Sequence, residues 1–141
     1  AVSNAGGLGI ITSLTLANTP VDQEPHVGHR GAEKLRMEIR KCKSLTDKPF
    51  GVNVTKLPMI APGNLFGDIV QVLIDEKIPV IETAGSQMPT EWKAFKENNM
   101  KVIHKCTSVR HALSAERAGV DAISMDGFDC AGSRVGTRDP P

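Results

Sequence analysis

The 141-residue sequence predicts an α/β protein of parallel strands joined by crossover helices. Three observations predict it. Short apolar runs recur along the chain, longer amphipathic segments separate them, and Gly or Pro marks the junctions. Runs of about five residues suit strands buried on both faces. Strands separated by helix-length segments pair in parallel, through right-handed crossovers.

The first run is Leu8–Ile11, following a Gly pair, and the second is Phe50–Val54, following Lys48-Pro49. Pro79–Thr83, Lys101–Lys105 and Asp121–Met125 complete the set. Helices are expected over Gly31–Leu45, where Leu35, Ile39 and Cys42 recur at helical spacing, and over Asn64–Glu76, which carries Leu65, Ile69, Val72 and Leu73. Pro89 opens a third at a position where the missing N–H costs nothing, and the segment runs to Asn98. In the fourth, Ser108–Ala118, a stripe of Val109, Ala112 and Ala115 faces inward, and Gly119 stops the helix as a C′ residue. This β-α rhythm fits either an open doubly wound sheet or part of a β/α barrel. Both place functional groups at the carboxyl ends of the strands. That rule selects Asn53, Glu82–Ser86, Lys105–Thr107 and Asp126–Ser133.

Composition narrows the partners. Seventeen basic residues are scattered among sixteen acidic ones, net charge is +1, and one Trp with no Tyr leaves few platforms for stacking bases, so nucleic acid is not an expected partner. No run approaches the length of a membrane span. Cys42, Cys106 and Cys130 are odd in number and lack CxxC spacing, which points away from a disulfide framework and a zinc site and toward a reducing, cytoplasmic setting. His26 and His29 in "HVGHR" lie three apart without a third ligand nearby, and no metal is expected there. "NAGGLG" precedes a strand and lacks dinucleotide-fingerprint spacing, so Gly6, Gly7 and Gly9 read as turn or close-packing residues.

The stretches "AVSNAGGLGII", "PFGVNV", "PVIETAG" and "KVIHKCTSVRHALSAERAGVDAISMDGFDCAG" resemble, in order and spacing, the nitronate monooxygenases, formerly called 2-nitropropane dioxygenases. The resemblance runs from Ala1 to Gly132 and implies an FMN-dependent TIM-type β/α barrel that oxidises alkyl nitronates, or nitroalkanes, with O2 to a carbonyl compound and nitrite. Flavin-dependent enoyl reductases share the wider pattern. By this resemblance the sequence covers about strands two to six of eight. Residues 1–132 are then a partial flavin domain and 133–141 a divergent tail. A non-catalytic, self-associating barrel fragment is the alternative from another class.

The resemblance also implies site roles. Asn53, Lys105, Asp126, Gly127, Ala131 and Gly132 fall at cofactor-binding positions, and Ser133 stands where the family carries its histidine. A carboxamide at Asn53 can donate to and accept from a flavin edge. A cation at Lys105 would stabilise reduced flavin. Ser133 is a poor replacement for an imidazole base near neutral pH. Glu82, within an apolar run, needs a partner, for which Lys105 is the candidate. Strand alternation turns His104 toward the helix layer, His111 reads as an exposed helix residue, and Cys106 and Cys130 read as inert thiols without an activating base.

Overall fold

The computed structural model describes residues 1–13, 27–56 and 65–127, with side chains from 31 in the first helix and from 66 in the second. Five strands, β1 (Gly9–Thr12), β2 (Phe50–Lys56), β3 (Val80–Gly85), β4 (Lys101–Cys106) and β5 (Ala122–Met125), alternate with four helices. These are α1 (Val27–Leu45), α2 (Leu65–Asp75), α3 (Pro89–Glu97) and α4 (Val109–Arg117), and a short 3-10 turn at Ser3–Ala5 precedes β1. Every neighbouring pair is parallel, and the sheet order is β1-β2-β3-β4-β5.

That order separates the two architectures left open by the pattern. A doubly wound sheet reverses its strand order at a switch point, which sends helices to both faces. Here each strand adds beside its predecessor in one direction. Right-handed crossovers then place every helix on the same face. The described chain is therefore a five-stranded section of a parallel β/α barrel. The core agrees: Leu35 and Ile39 of α1, Ile69, Val72 and Leu73 of α2, Trp92 and Phe95 of α3, and Ala115 of α4 form one cluster with Val52, Val54, Ile81 and Val102 of the sheet.

Strand burial alternates, contrary to the expectation of strands buried on both faces. Val52, Val54, Ile81, Thr83, Val102, His104 and Cys106 are buried on the helix-covered face, while Asn53, Thr55, Glu82, Ile103 and Lys105 on the other are only half-buried. The helices cover one face, and no second layer covers the other among the described residues. Strands β2 and β3 also run two residues beyond the apolar runs, because Thr55 pairs with Ala84 and Lys56 with Gly85. The extension carries polar side chains to the end of the sheet. Helix α1 begins at Val27, ahead of the expected Gly31.

Local chemistry explains the junctions. The Ser108 hydroxyl accepts the His111 amide and caps α4. Gly119, in the left-handed region at φ 87°, ends the helix as expected, and its carbonyl accepts Lys96 Nζ at 2.6 Å. Gly85 follows β3 at φ 82°, where a Cβ would strike the carbonyl oxygen of Lys56. Val109 departs from the expected stripe: it is 70% exposed, and Ala112 and Ala115 supply the inward contacts. Val109 and the exposed Leu113, four apart, share a face that no described element covers.

Helices α1 and α2 are joined through Glu76, the buried carboxylate just after α2. It accepts from Arg36 (3.3 Å), Arg40 (2.9 Å) and Lys43 (3.0 Å). Burial pushes its carboxyl upward, but the hydrogen bonds from Lys43 and Arg40 outweigh that and hold it below the usual glutamate value.

Candidate functional site

Parallel pairing places Thr12, Asn53, Glu82, Ile103 and Ala122 in one row across the sheet. All five belong to the face opposite the helices, because side chains alternate along a strand. Thr55, Lys105 and Ser124 occupy the next row toward the carboxyl ends. Four polar members of these rows connect. The Thr55 hydroxyl donates to Asn53 Oδ1 at 3.1 Å, Asn53 Nδ2 donates to Glu82 Oε2 at 2.7 Å, and Lys105 Nζ lies 3.6 Å from the same Glu82 oxygen. Three strands thus contribute one line of polar groups, with Glu82 at its centre.

Burial makes the arrangement chemically specific. The Glu82 side chain is 16% exposed and that of Lys105 31%, so the pair is poorly screened by solvent. A carboxylate removed from water requires compensating donors, and Asn53 and Lys105 supply them. The expected pairing of Glu82 with Lys105 is present in the structure. Thr55, the fourth member, lies beyond the apolar run that marked β2. Its signal in the sequence was the period-2 continuation Asn53, Thr55, which places both on one face.

Neighbouring side chains on the opposite face have a different task. His104 is buried, and its Nδ1 lies 2.9 Å from Thr83 Oγ1. The indole N–H of Trp92 donates to the same hydroxyl at 3.1 Å, and the Trp92 and His104 rings meet edge to face with centroids 4.8 Å apart. Burial lowers the His104 pKa, and hydrogen bonding to the Thr83 backbone only partly opposes it. His104 therefore faces the helix layer, as strand alternation indicated. His111 is exposed on α4. Cys106 is buried and burial pushes its thiol up, the environment of an unreactive cysteine.

Asp126 and Gly127 follow directly after β5, and the Asp126 amide donates to the Cys106 carbonyl at 2.8 Å. This bond holds the start of the loop against the end of β4, beside Lys105. Ala131, Gly132, Ser133, Cys130 and the 133–141 segment lie outside the described residues, as does His26, and the side chain of His29 is likewise undescribed. At the amino end, Gly6 takes φ 89°, and Gly9 approaches Ser3 so closely that a Cβ would lie 2.9 Å from its hydroxyl. The glycines of "NAGGLG" thus serve a turn and a close approach. Two shallow surface concavities, one around Asn4 and Lys43–Lys48 and one between α3 and Gly119, lie away from the polar line. Neither gathers comparable chemistry.

Comparison with known proteins places this geometry in context. Residues 1–59 match the family model described as nitronate monooxygenase. A 5-hydroxy-7a-methyl-1-oxo-octahydro-1H-indene-4-carboxyl-CoA dehydrogenase of Mycobacterium tuberculosis is 31% identical over 94% of this chain and 32% of its own length. A probable nitronate monooxygenase of Staphylococcus saprophyticus is 27% identical over 94% of this chain and 42% of its own length. Among solved structures, FabK from Thermotoga maritima matches with a TM-score of 0.65 and 35% identity over 86% of this chain and 33% of that one. Nitroalkane oxidase from Streptomyces ansochromogenes gives a TM-score of 0.67 over 86% of this chain and 39% of that one, at 20% identity, a likeness of fold. The chain spans about a third to two fifths of the length of these curated relatives.

Proposed function

We propose that this chain, whose residues 1–59 match the nitronate monooxygenase family model and which resembles a probable nitronate monooxygenase along most of its length, forms part of a flavin-dependent oxidoreductase holding FMN at the Asn53–Glu82–Lys105 line. Alkyl nitronates, oxidised with O2 to a carbonyl compound and nitrite, are the proposed substrates. The observation that carries the reading is the joined set of amide, carboxylate and ammonium on one face of three adjacent barrel strands, with Lys105 next to the carboxyl end of β4.

The donor chemistry fits a flavin edge. Beyond its bonds to Glu82 and Thr55, a carboxamide has capacity for one more donated and one more accepted hydrogen bond. Lys105 brings a cation with donors to spare after Glu82, suited to charge on a reduced ring. When bound, FMN supplies the electron-accepting chemistry. The chain's own residues orient the ring, neutralise charge at its edge and, through Asp126 and Gly127, begin the loop beside it. Ala131 and Gly132 are assigned to the cofactor, and Ser133 to the position of the family base, by resemblance. A serine there favours preformed nitronates, which need no proton removed, over neutral nitroalkanes.

A second reading has its own support. The higher identity to the carboxyl-CoA dehydrogenase favours dehydrogenation of an acyl thioester by the same flavin. Titration of the chain with excess FMN, followed by the visible spectrum after desalting and by side-chain NMR signals of Asn53 and Lys105, tests the shared cofactor site. With flavin loaded, nitrite release from propane-2-nitronate supports the first reading. Reduction of an artificial electron acceptor by a carboxyl-CoA substrate, without nitrite chemistry, selects the second. Unperturbed Asn53 and Lys105 signals at saturating FMN would sink both.

A further inference from the structure

We infer that Glu82 is a positioning residue, which sets the orientation of the Asn53 carboxamide and the place of the Lys105 ammonium. Asn53 and Glu82 are register partners on β2 and β3, so their side chains leave the sheet side by side. The 2.7 Å contact runs to the Nδ2 end of the amide, and the Thr55 hydroxyl meets the other end. An ionised carboxylate only accepts hydrogen bonds. Flipping the amide would set its oxygen against Glu82 Oε2, two acceptors in contact, so Glu82 permits one orientation. Thr55 could serve either one, since a hydroxyl both donates and accepts.

The same oxygen faces Lys105 Nζ at 3.6 Å. A lysine has a flexible four-carbon stem, and a fixed anion near its end confines where the charge sits. Glu82 thereby couples the two groups assigned above to the flavin edge without needing to touch the ring. Its significance for FMN rests on that assignment; the positioning itself belongs to the chain alone.

The test uses the full chain, labelled with nitrogen-15, with and without FMN. In the parent, the Asn53 carboxamide is expected to show one downfield, exchange-protected proton. Glu82→Ala removes this signature, and Glu82→Gln weakens it by admitting the flipped amide. Backbone signals of Val52 and Val54 report whether β2 is intact; where Glu82→Ala does not fold, the isosteric Glu82→Gln decides. Loss of one charge-assisted hydrogen bond at the ring edge corresponds to about a tenfold weaker FMN affinity in Glu82→Gln. Asn53 and Lys105 signals unchanged in a folded Glu82 variant would overturn the inference. If those signals move in the variants but FMN leaves the parent's unmoved, the positioning role stands and the flavin reading fails.

Discussion

Replacing Thr83 by Val isolates one oxygen atom at the centre of the barrel's buried layer. Thr83 Oγ1 lies 2.9 Å from His104 Nδ1, 3.1 Å from Trp92 Nε1 and 3.3 Å from the Ile103 carbonyl. All bonds are satisfied if the hydroxyl donates to Ile103 and accepts from the imidazole and the indole. Thr83, Trp92 and His104 are at most 2% exposed, so water cannot take the oxygen's place without rearrangement. Valine preserves shape but strands two donors. At about 1–3 kcal/mol for each buried group left unpaired, the sum is about 2–6 kcal/mol. His104 can shift its proton to the other ring nitrogen, which places the expected loss in the lower half of that range. Thr83→Ser keeps the hydroxyl and loses one methyl, about 0.5–1.5 kcal/mol by analogy with Ile→Val. Urea unfolding followed by circular dichroism measures the contrast. With a slope of about 1–3 kcal/mol per molar urea, Val should unfold roughly 1 M below Ser. Equal midpoints would refute the hub.

Acid should destabilise the fold from near neutrality downward: the folded His104 pKa lies below its ordinary value of 6.5, so below that pH the unfolded chain binds a proton that the folded chain refuses. Stability falls until the folded pKa is passed, and His104→Gln should flatten this part of a pH series. The depressed carboxyls of Glu76 and Asp121 act lower, their contributions being lost as pH falls through the acidic range below their ordinary values of 4.5 and 3.8. Gly85→Ala, at φ 82° and against the Lys56 carbonyl, should cost about 1–3 kcal/mol or more. Gly6→Ala, at φ 89° with nothing within 4 Å, bears the conformational penalty alone, so thermal unfolding should rank Gly85→Ala the lower. Among the described residues β1 and β5 are the outer strands of the sheet, and they expose Ile10, Ile123 and Met125; apolar outer strands recruit other chains, so light scattering after size exclusion should give a mass above the monomer, and a sharp monomer would count against it.

The strands and helices were legible because each apolar run and each amphipathic stripe reports its own burial. The choice between barrel and doubly wound sheet was not legible from local pattern, since both use the same β-α units and differ only in the order in which strands add. Side-chain facing fared well where alternation determines it: Lys105 meets Glu82 on one face and His104 meets Trp92 on the other. Thr55 escaped notice because β2 continues past its apolar run, supported by pairing with β3 rather than by its own hydrophobicity. Val109 misled because an apolar residue at helical spacing does not say whether anything packs on it. Ser133, Ala131 and Gly132 rest on resemblance alone, while Asn53, Glu82 and Lys105 have a geometry of their own.

The division of labour along β4 depends on register, and register has an identifiable anchor. His104 and Lys105 are adjacent, so a slip of one residue would send the imidazole to the mouth and the ammonium into the core. Against β3, the pairing of Thr83 with His104 is held by the hub hydroxyl. Against β5, Asp121 grips the start of the strand. Its amide donates to the Val102 carbonyl at 2.8 Å, its carboxylate accepts the Val102 amide at 2.9 Å, and Lys101 Nζ approaches the other oxygen at 3.1 Å. Burial raises the Asp121 carboxyl, but the Val102 amide and Lys101 more than reverse this, keeping the clamp ionised at neutral pH. At the far end, the Asp126 amide donates to the Cys106 carbonyl, which continues the pairing of β4 with β5 past Met125. A clamp at the amino end of β5 thus determines where the Asp126–Gly127 loop leaves the sheet. The polar line is held from outside itself, by groups that meet neither the Asn53–Glu82 bond nor Lys105.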